Sequence, residues 1–192
     1  MILDLRKQIE KYEPFNEQEV KDKELILKYI DTFDDVLTRN NKIVHFTASS
    51  WVVNKDRSKV LMIYHNIFKS WTCTGGHADG DSDLLRTAIR ELEEETGMKN
   101  IKVLNNGDIF SLEIVCANGH VRKGEYVSTH IHLNVTFLIE GDEEEFLRIQ
   151  EDENSGVKWI EIEDVEKASN EKWILENMYK KLIKKVENNI IM

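Results

Sequence analysis

Two cysteines and one proline are all that this chain of 192 residues contains of either type. Cys73 and Cys116 show no Cys-x-x-Cys spacing, so neither a disulfide framework nor a zinc site is expected, and both read as core thiols. With Pro14 standing alone there is no proline-rich linker, and no repeat or low-complexity tract marks a second functional unit. No apolar run reaches the length of a membrane span, and MILDLRKQIEKYE at the start lacks the basic-then-apolar order of a signal peptide. The cytoplasm is therefore the expected location, with no membrane partner. Positive charge is short too: 26 Lys and Arg stand against 36 Asp and Glu, a net charge of −10. The basic footprint that broad nucleic-acid binding requires is missing. An acidic chain that handled a polyphosphate would need a cation to neutralise both partners.

What is abundant is glutamate in one place. Gly75 to Met98 reads GGHADGDSDLLRTAIRELEEETGM, and its second half predicts one helix. Ser82 or Asp81 is placed to cap it, Leu85, Ala88, Ile89 and Leu92 recur at helical spacing, and Gly97 sits where a left-handed stop belongs. Residues three and four apart are surface neighbours on a helix, so Glu91, Glu94 and Glu95 share one edge beside the apolar stripe. Three such carboxylates repel one another unless something positive sits among them. A divalent cation with a taste for hard oxygen ligands, Mg2+, fits that place and brings substrate phosphate with it. Arg90, one turn before Glu94, can orient a carboxylate by a two-pronged contact. The competing reading is a solvated acidic face, the usual fate of glutamate runs.

The spacing favours the first reading. Gly76, Arg90-Glu91-Leu92, Glu94-Glu95 and Gly97-Met98 together resemble the signature of the Nudix hydrolases. One position departs from it: Ser82, flanked by Asp81 and Asp83, stands where the family has a glutamate that partners the box arginine. The resemblance implies an α+β fold, a Nudix-type α/β/α sandwich with a mixed β-sheet. It also implies hydrolysis of a diphosphate linkage in a nucleoside diphosphate derivative, with Mg2+ or Mn2+ as cofactor. Glu91, Glu94 and Glu95 would be the metal ligands. Glu94, Arg90 and Glu153 would be the candidates for the chemistry, Glu153 because some family members carry a glutamate just ahead of a tryptophan-bearing strand, here Val157 to Ile160. Two alternatives share the fold: a sensor that binds a nucleotide without cleaving it, and an isomerase of an allylic diphosphate, for which Cys73 near Trp71 is a faint echo.

The rest of the chain sorts around this box. Residues 1–40 read as a helical extension, with stripes at Leu5, Ile9 and Tyr12 and at Ile26, Ile30, Phe33 and Leu37, and a cap at Asn16 and Glu19; residues 41–192 would form the Nudix domain. An element packed on that domain is favoured over a lid or dimer arm, though a homodimer stays open. Val44, Phe46 and Ala48 alternate with His45, Thr47 and Ser49 as in a strand with one apolar face, and Lys59 to Tyr64 reads as a buried strand. Gly75-Gly76 would let backbone approach phosphate, and His77 would touch substrate or bond backbone. In STHIHLNVTFLIE one face is apolar, while His130, His132, Asn134 and Thr136 line the other and suggest a wet cleft. A zinc site at His130 and His132 would need further nitrogen or sulfur ligands that the sequence does not place. Substrate would lie against that polar face and against Trp71 or Phe68, whose rings suit stacking on a base. Arg122 and Lys123 form a loop pair that could meet phosphate or stay solvated. Asn170 onward reads as a helix with Lys180, Lys181, Lys184 and Lys185 on or near its polar side.

Overall fold

The structure, a computed structural model, describes residues 2–122 and 124–188. Lys123 lies outside the described residues, as does the side chain of Arg122. Two helices, α1 (Ile2–Lys11) and α2 (Glu17–Thr32), come first, and Asn16 caps α2 by accepting from the Glu19 amide at 2.9 Å. Then follow β1 (Val44–Val53), β2 (Lys59–His65), β3 (Ser70–Thr72), β4 (Thr74–His77) and the box helix α3 (Leu84–Thr96). After it come β5 (Ile101–Val103), β6 (Ser111–Ala117), β7 (His120–Arg122), β8 (Glu125–Val127), β9 (His130–Gly141) and β10 (Asn154–Glu161). Beyond β10 lie α4 (Val165–Ala168), α5 (Lys172–Ile174), a π turn (Leu175–Tyr179) and α6 (Lys180–Glu187).

The main sheet runs β10-β2-β1-β9-β5, with β3 on β2, β4 on β1 and β6 on β9. Among the described residues only β1 and β9 pair in parallel, in an unbroken register from Val44 opposite Ile131 to Val53 opposite Glu140; the other pairs are antiparallel, so the sheet is mixed. Arg122, expected in a loop, lies instead in β7, which pairs antiparallel with β8.

Alternation along β1 and β9 builds two layers. Phe46, Ala48, Leu133 and Val135 face Leu84 and Ala88 of α3, and Leu5, Ile9 and Ile26 extend the same core toward β6. On the other face Trp51, Val53, Met62 and Leu138 meet Leu175, Met178, Tyr179, Leu182 and Val186. The fold is α+β, with helices on both sides of a mixed sheet.

The C-terminal lysines divide against expectation. Lys181 and Lys185 are buried: Lys185 Nζ lies 3.0 Å from Glu19 Oε1, and Lys181 Nζ lies 3.1 Å from the same oxygen and 3.0 Å from Glu113 Oε1. Residues four apart lie on one helix face, and buried cations are tolerated only with partners, which α2 and β6 provide here. Cys116 is exposed rather than a core thiol, while Cys73 is half-buried.

Candidate active site

The helix that carries the glutamates starts at Leu84, and Asp83 is its cap, accepting from the Arg86 amide at 3.0 Å. This corrects the expectation of Ser82 or Asp81. Asp81 instead accepts from the Asp83 amide and holds Arg86 at 2.7 Å. Gly97 ends the helix at φ 75°, in the left-handed conformation its position called for.

The double glycine serves the glutamates first. Gly75 and Gly76 lie in β4, opposite Ser49 and Ala48 of β1. The Gly75 amide donates to Glu95 Oε2 at 3.0 Å, so it is not free for phosphate. A Cβ on Gly76 would overlap the Glu91 carboxylate, which lies against that bare backbone. Glu95 is 2% exposed. Burial, and then the charges of Glu91, Glu153 and Glu94, push its carboxyl well above the ordinary range against the pull of the Gly75 amide. The Glu91 carboxyl is also raised, first by burial and then by Glu94, Glu153 and Asp79, with Arg90 opposing. Glu94 is half-exposed. The structure thus brings Glu91, Glu94, Glu95 and Glu153 within electrostatic reach of one another.

Arg90 is held without the missing box glutamate: its Nη2 lies 2.8 Å from Glu91 Oε1 and donates to the His77 carbonyl at 3.4 Å, while Nη1 reaches Glu94 Oε2 at 3.4 Å. Asn154, which the sequence did not single out, donates from Nδ2 to the Glu95 carbonyl at 2.9 Å. It sits directly after Glu153 and ties the start of β10 to the end of α3.

The aromatic candidates have their own partners. Trp71 meets Tyr64 edge-on and lies under the Lys158 ammonium, 4.3 Å from the ring centre. Phe68 is exposed and packs on His65. Burial pushes the Cys73 thiol up to about 12, the opposite of what a reactive cysteine needs.

The polar face of β9 is a bonded network more than a wet cleft. Asn134 Oδ1 accepts from Thr47 at 3.1 Å and Ser49 at 2.8 Å, and its Nδ2 donates to Glu113 at 2.9 Å and Thr136 at 3.1 Å. His77, His130 and His132, expected at the substrate, gather with His45 at one end of this face. Burial and the neighbouring imidazoles push His132 down to about 2, and burial lowers His45 as well. His45 read from sequence only as one alternating strand residue.

With this geometry in hand, likeness to known proteins agrees in one direction. Residues 44–182 match the NUDIX domain family. The RNA pyrophosphohydrolase of Pelagibacter ubique (strain HTCC1062) is 31% identical over 118 residues, spanning 59% of this chain and 74% of that protein. Two solved structures share the fold. One is a C. elegans Ap4A hydrolase binary complex, with TM-score 0.54 and 18% identity over 76% of this chain and 96% of that one. The other is a NUDIX-family hydrolase from Clostridium perfringens, with TM-score 0.53 and 22% identity over 74% and 97%. The chain belongs to the NUDIX family.

Proposed function

We propose that the protein is a Mg2+-dependent hydrolase that cleaves the diphosphate linkage of a nucleoside diphosphate derivative, with residues 41–192 as its catalytic domain and 1–40 as a packed extension. The observation that carries this reading is the pair of sheltered carboxylates, Glu91 over Gly76 and Glu95 on the Gly75 amide, with Glu94 and Glu153 beside them and Arg90 set against them. Four carboxylates and one guanidinium leave an excess of negative charge facing hard oxygen donors, which suits Mg2+ or Mn2+ and excludes a soft ion. Glu91, Glu94 and Glu95 would hold it, and when bound it would supply charge neutralisation for the phosphate oxygens and polarise water.

The chain's own groups then divide the work. Glu95 is fixed by the Gly75 amide and Glu91 by the bare backbone of Gly76 and by Arg90. Glu94, half-exposed and oriented by Arg90 at 3.4 Å, is the first choice to accept the proton of attacking water, with Glu153 as second choice. Arg90 acts as a positioning residue, holding Glu91 and Glu94 in one orientation. The raised Cys73 thiol argues against an isomerase.

The test is hydrolysis of Ap4A, ADP-ribose, nucleotide sugars and a 5′-polyphosphorylated RNA with Mg2+ or Mn2+, beside Glu94→Gln and a chelator control. Cleavage of one compound that both controls abolish is expected. Tight binding without cleavage, seen as a raised Tm, would instead support a sensor.

A further inference from the structure

Opposite α3, the sheet carries a cluster that pyrophosphate hydrolysis as proposed leaves unused. His45 of β1, His77 of β4, and His130 and His132 of β9 each offer one ring nitrogen, and the four atoms lie within 4.8 Å of one another. Backbone pairing builds this group. His45 sits opposite His132 in the parallel β1-β9 ladder, His77 sits opposite Thr47 in the β1-β4 ladder, and His130 is two residues from His132, so all four side chains leave one face of the sheet. Five of the ring pairs have centroids 4.8 to 5.1 Å apart. Four imidazoles around a tetrahedral Zn2+, with Zn–N of about 2.0–2.1 Å, place their ring centres roughly 5.2 Å apart.

The hydrogen bonds fix which ring nitrogens of His45 and His130 keep a lone pair. His45 Nδ1 lies 2.9 Å from the Asn41 carbonyl and His130 Nδ1 lies 2.8 Å from the Ser128 carbonyl. A carbonyl only accepts, so both Nδ1 atoms carry the proton and both Nε2 atoms present a lone pair. This is the backing that metal-bound histidines usually have, the outer nitrogen donating to a backbone carbonyl. His130 Nε2 meets His132 Nε2 at 2.9 Å. His45 Nε2 has no hydrogen-bond partner, although the residue is only 3% exposed. A buried acceptor left unmatched costs free energy that a cation at the centre would recover.

We propose that His45, His77, His130 and His132 form a Zn2+ site, separate from the carboxylate site on α3. All-imidazole donors exclude Mg2+, which takes oxygen ligands, and five ring spacings of 4.8 to 5.1 Å, close to the tetrahedral value, favour Zn2+ over Cu2+. The site would join β1, β4 and β9 at the point where β4 leaves the sheet toward α3. His77 belongs to both sides of that joint, because its carbonyl accepts from Arg90. Zinc here would therefore steady the backbone against which Arg90 is set.

The test uses the untagged full chain, stripped with chelator and dialysed against Zn2+ in excess Mg2+, with metal content measured per chain. One Zn2+ retained per chain and a raised Tm are expected. His77→Asn and His132→Asn should weaken zinc binding by about tenfold or more, whereas Glu94→Gln and Glu95→Gln, which address the hydrolase reading, should retain zinc. No retained zinc in the wild type, or undiminished zinc in both histidine variants, overturns the proposal; so does loss in the glutamate variants alone, which places the ion on α3. If the histidine variants fail to fold, Co2+ added to the stripped wild type decides: strong visible d–d absorption marks a tetrahedral site, and the weak absorption of an octahedral ion overturns it.

Discussion

Gly75 and Glu95 are joined by a 3.0 Å hydrogen bond from the glycine amide to the carboxylate, so the strand that opens the box anchors the helix that closes it. The neighbouring Gly76 has a different duty, leaving room for Glu91. The two glycines should therefore fail differently. In Gly75→Ala the new Cβ would lie 2.6 Å from the Ala48 carbonyl oxygen, which is backbone and cannot yield, so a lowered Tm is expected. In Gly76→Ala only the end of the Glu91 side chain must move, so Tm should hold while kcat/KM falls by about 100-fold, the cost of a misplacement on the order of 1 Å. Equal activity in Gly76→Ala and wild type would sink the assignment of Glu91.

Removing one negative charge from the carboxylate cluster should separate stability from function. Glu95→Gln relieves the repulsion from Glu91, Glu153 and Glu94, so in chelator its Tm should match or exceed the wild type's. On addition of Mg2+ the order should reverse. At about 100 times Kd a bound ion stabilises by about 2.7 kcal/mol, and the variant should gain little of this. Thermal melts with and without Mg2+ give both readings.

Ser82 is the departure from the family pattern, yet Arg90 is already held by Glu91, Glu94 and the His77 carbonyl. Ser82→Ala should leave kcat/KM within about twofold, as expected of a side chain that takes no part in those contacts of Arg90. Asp83→Ala removes the helix cap and should cost about 1 kcal/mol by urea unfolding. A larger loss of activity in Ser82→Ala than in Asp83→Ala would assign Ser82 a role that the geometry does not give it.

The buried Glu19 predicts acid sensitivity. Burial raises its carboxyl, but Lys181, Lys185, the Tyr12 hydroxyl and the Phe15 amide outweigh this and bring it down from 4.5 to about 2. A folded pKa below the unfolded one gives stability that is fully present above about pH 4.5 and is lost as pH falls toward 2. Unfolding free energy should drop through that window, and more shallowly in Glu19→Gln. At neutral pH the same variant strands buried lysine charge and should lose roughly 3–5 kcal/mol.

The sequence made α3 and its acidic edge legible because helical spacing is local, and the alternation in β1 and β9 was equally plain. Assembly across long separations was not. His45 and His132 become neighbours only through a parallel register, and nothing in either segment says which strand the other will join. Lys181 and Lys185 looked like polar-side residues because their partners, Glu19 and Glu113, lie far up the chain. The Gly75 amide looked available to phosphate because the carboxylate it serves comes twenty residues later.

The Glu19–Lys185 contact also sets an order of events during synthesis. The two residues are 166 positions apart, so α2 emerges from the ribosome long before the cation that makes its burial tolerable exists. Until the last helix is made, the first two have a charged residue at the centre of the surface they must dock. The N-terminal helices are therefore expected to dock stably only once Lys181 and Lys185 are available. They wait for the other end of the chain, and a protein cut short before Lys181 should be left with α1 and α2 undocked and open to proteases.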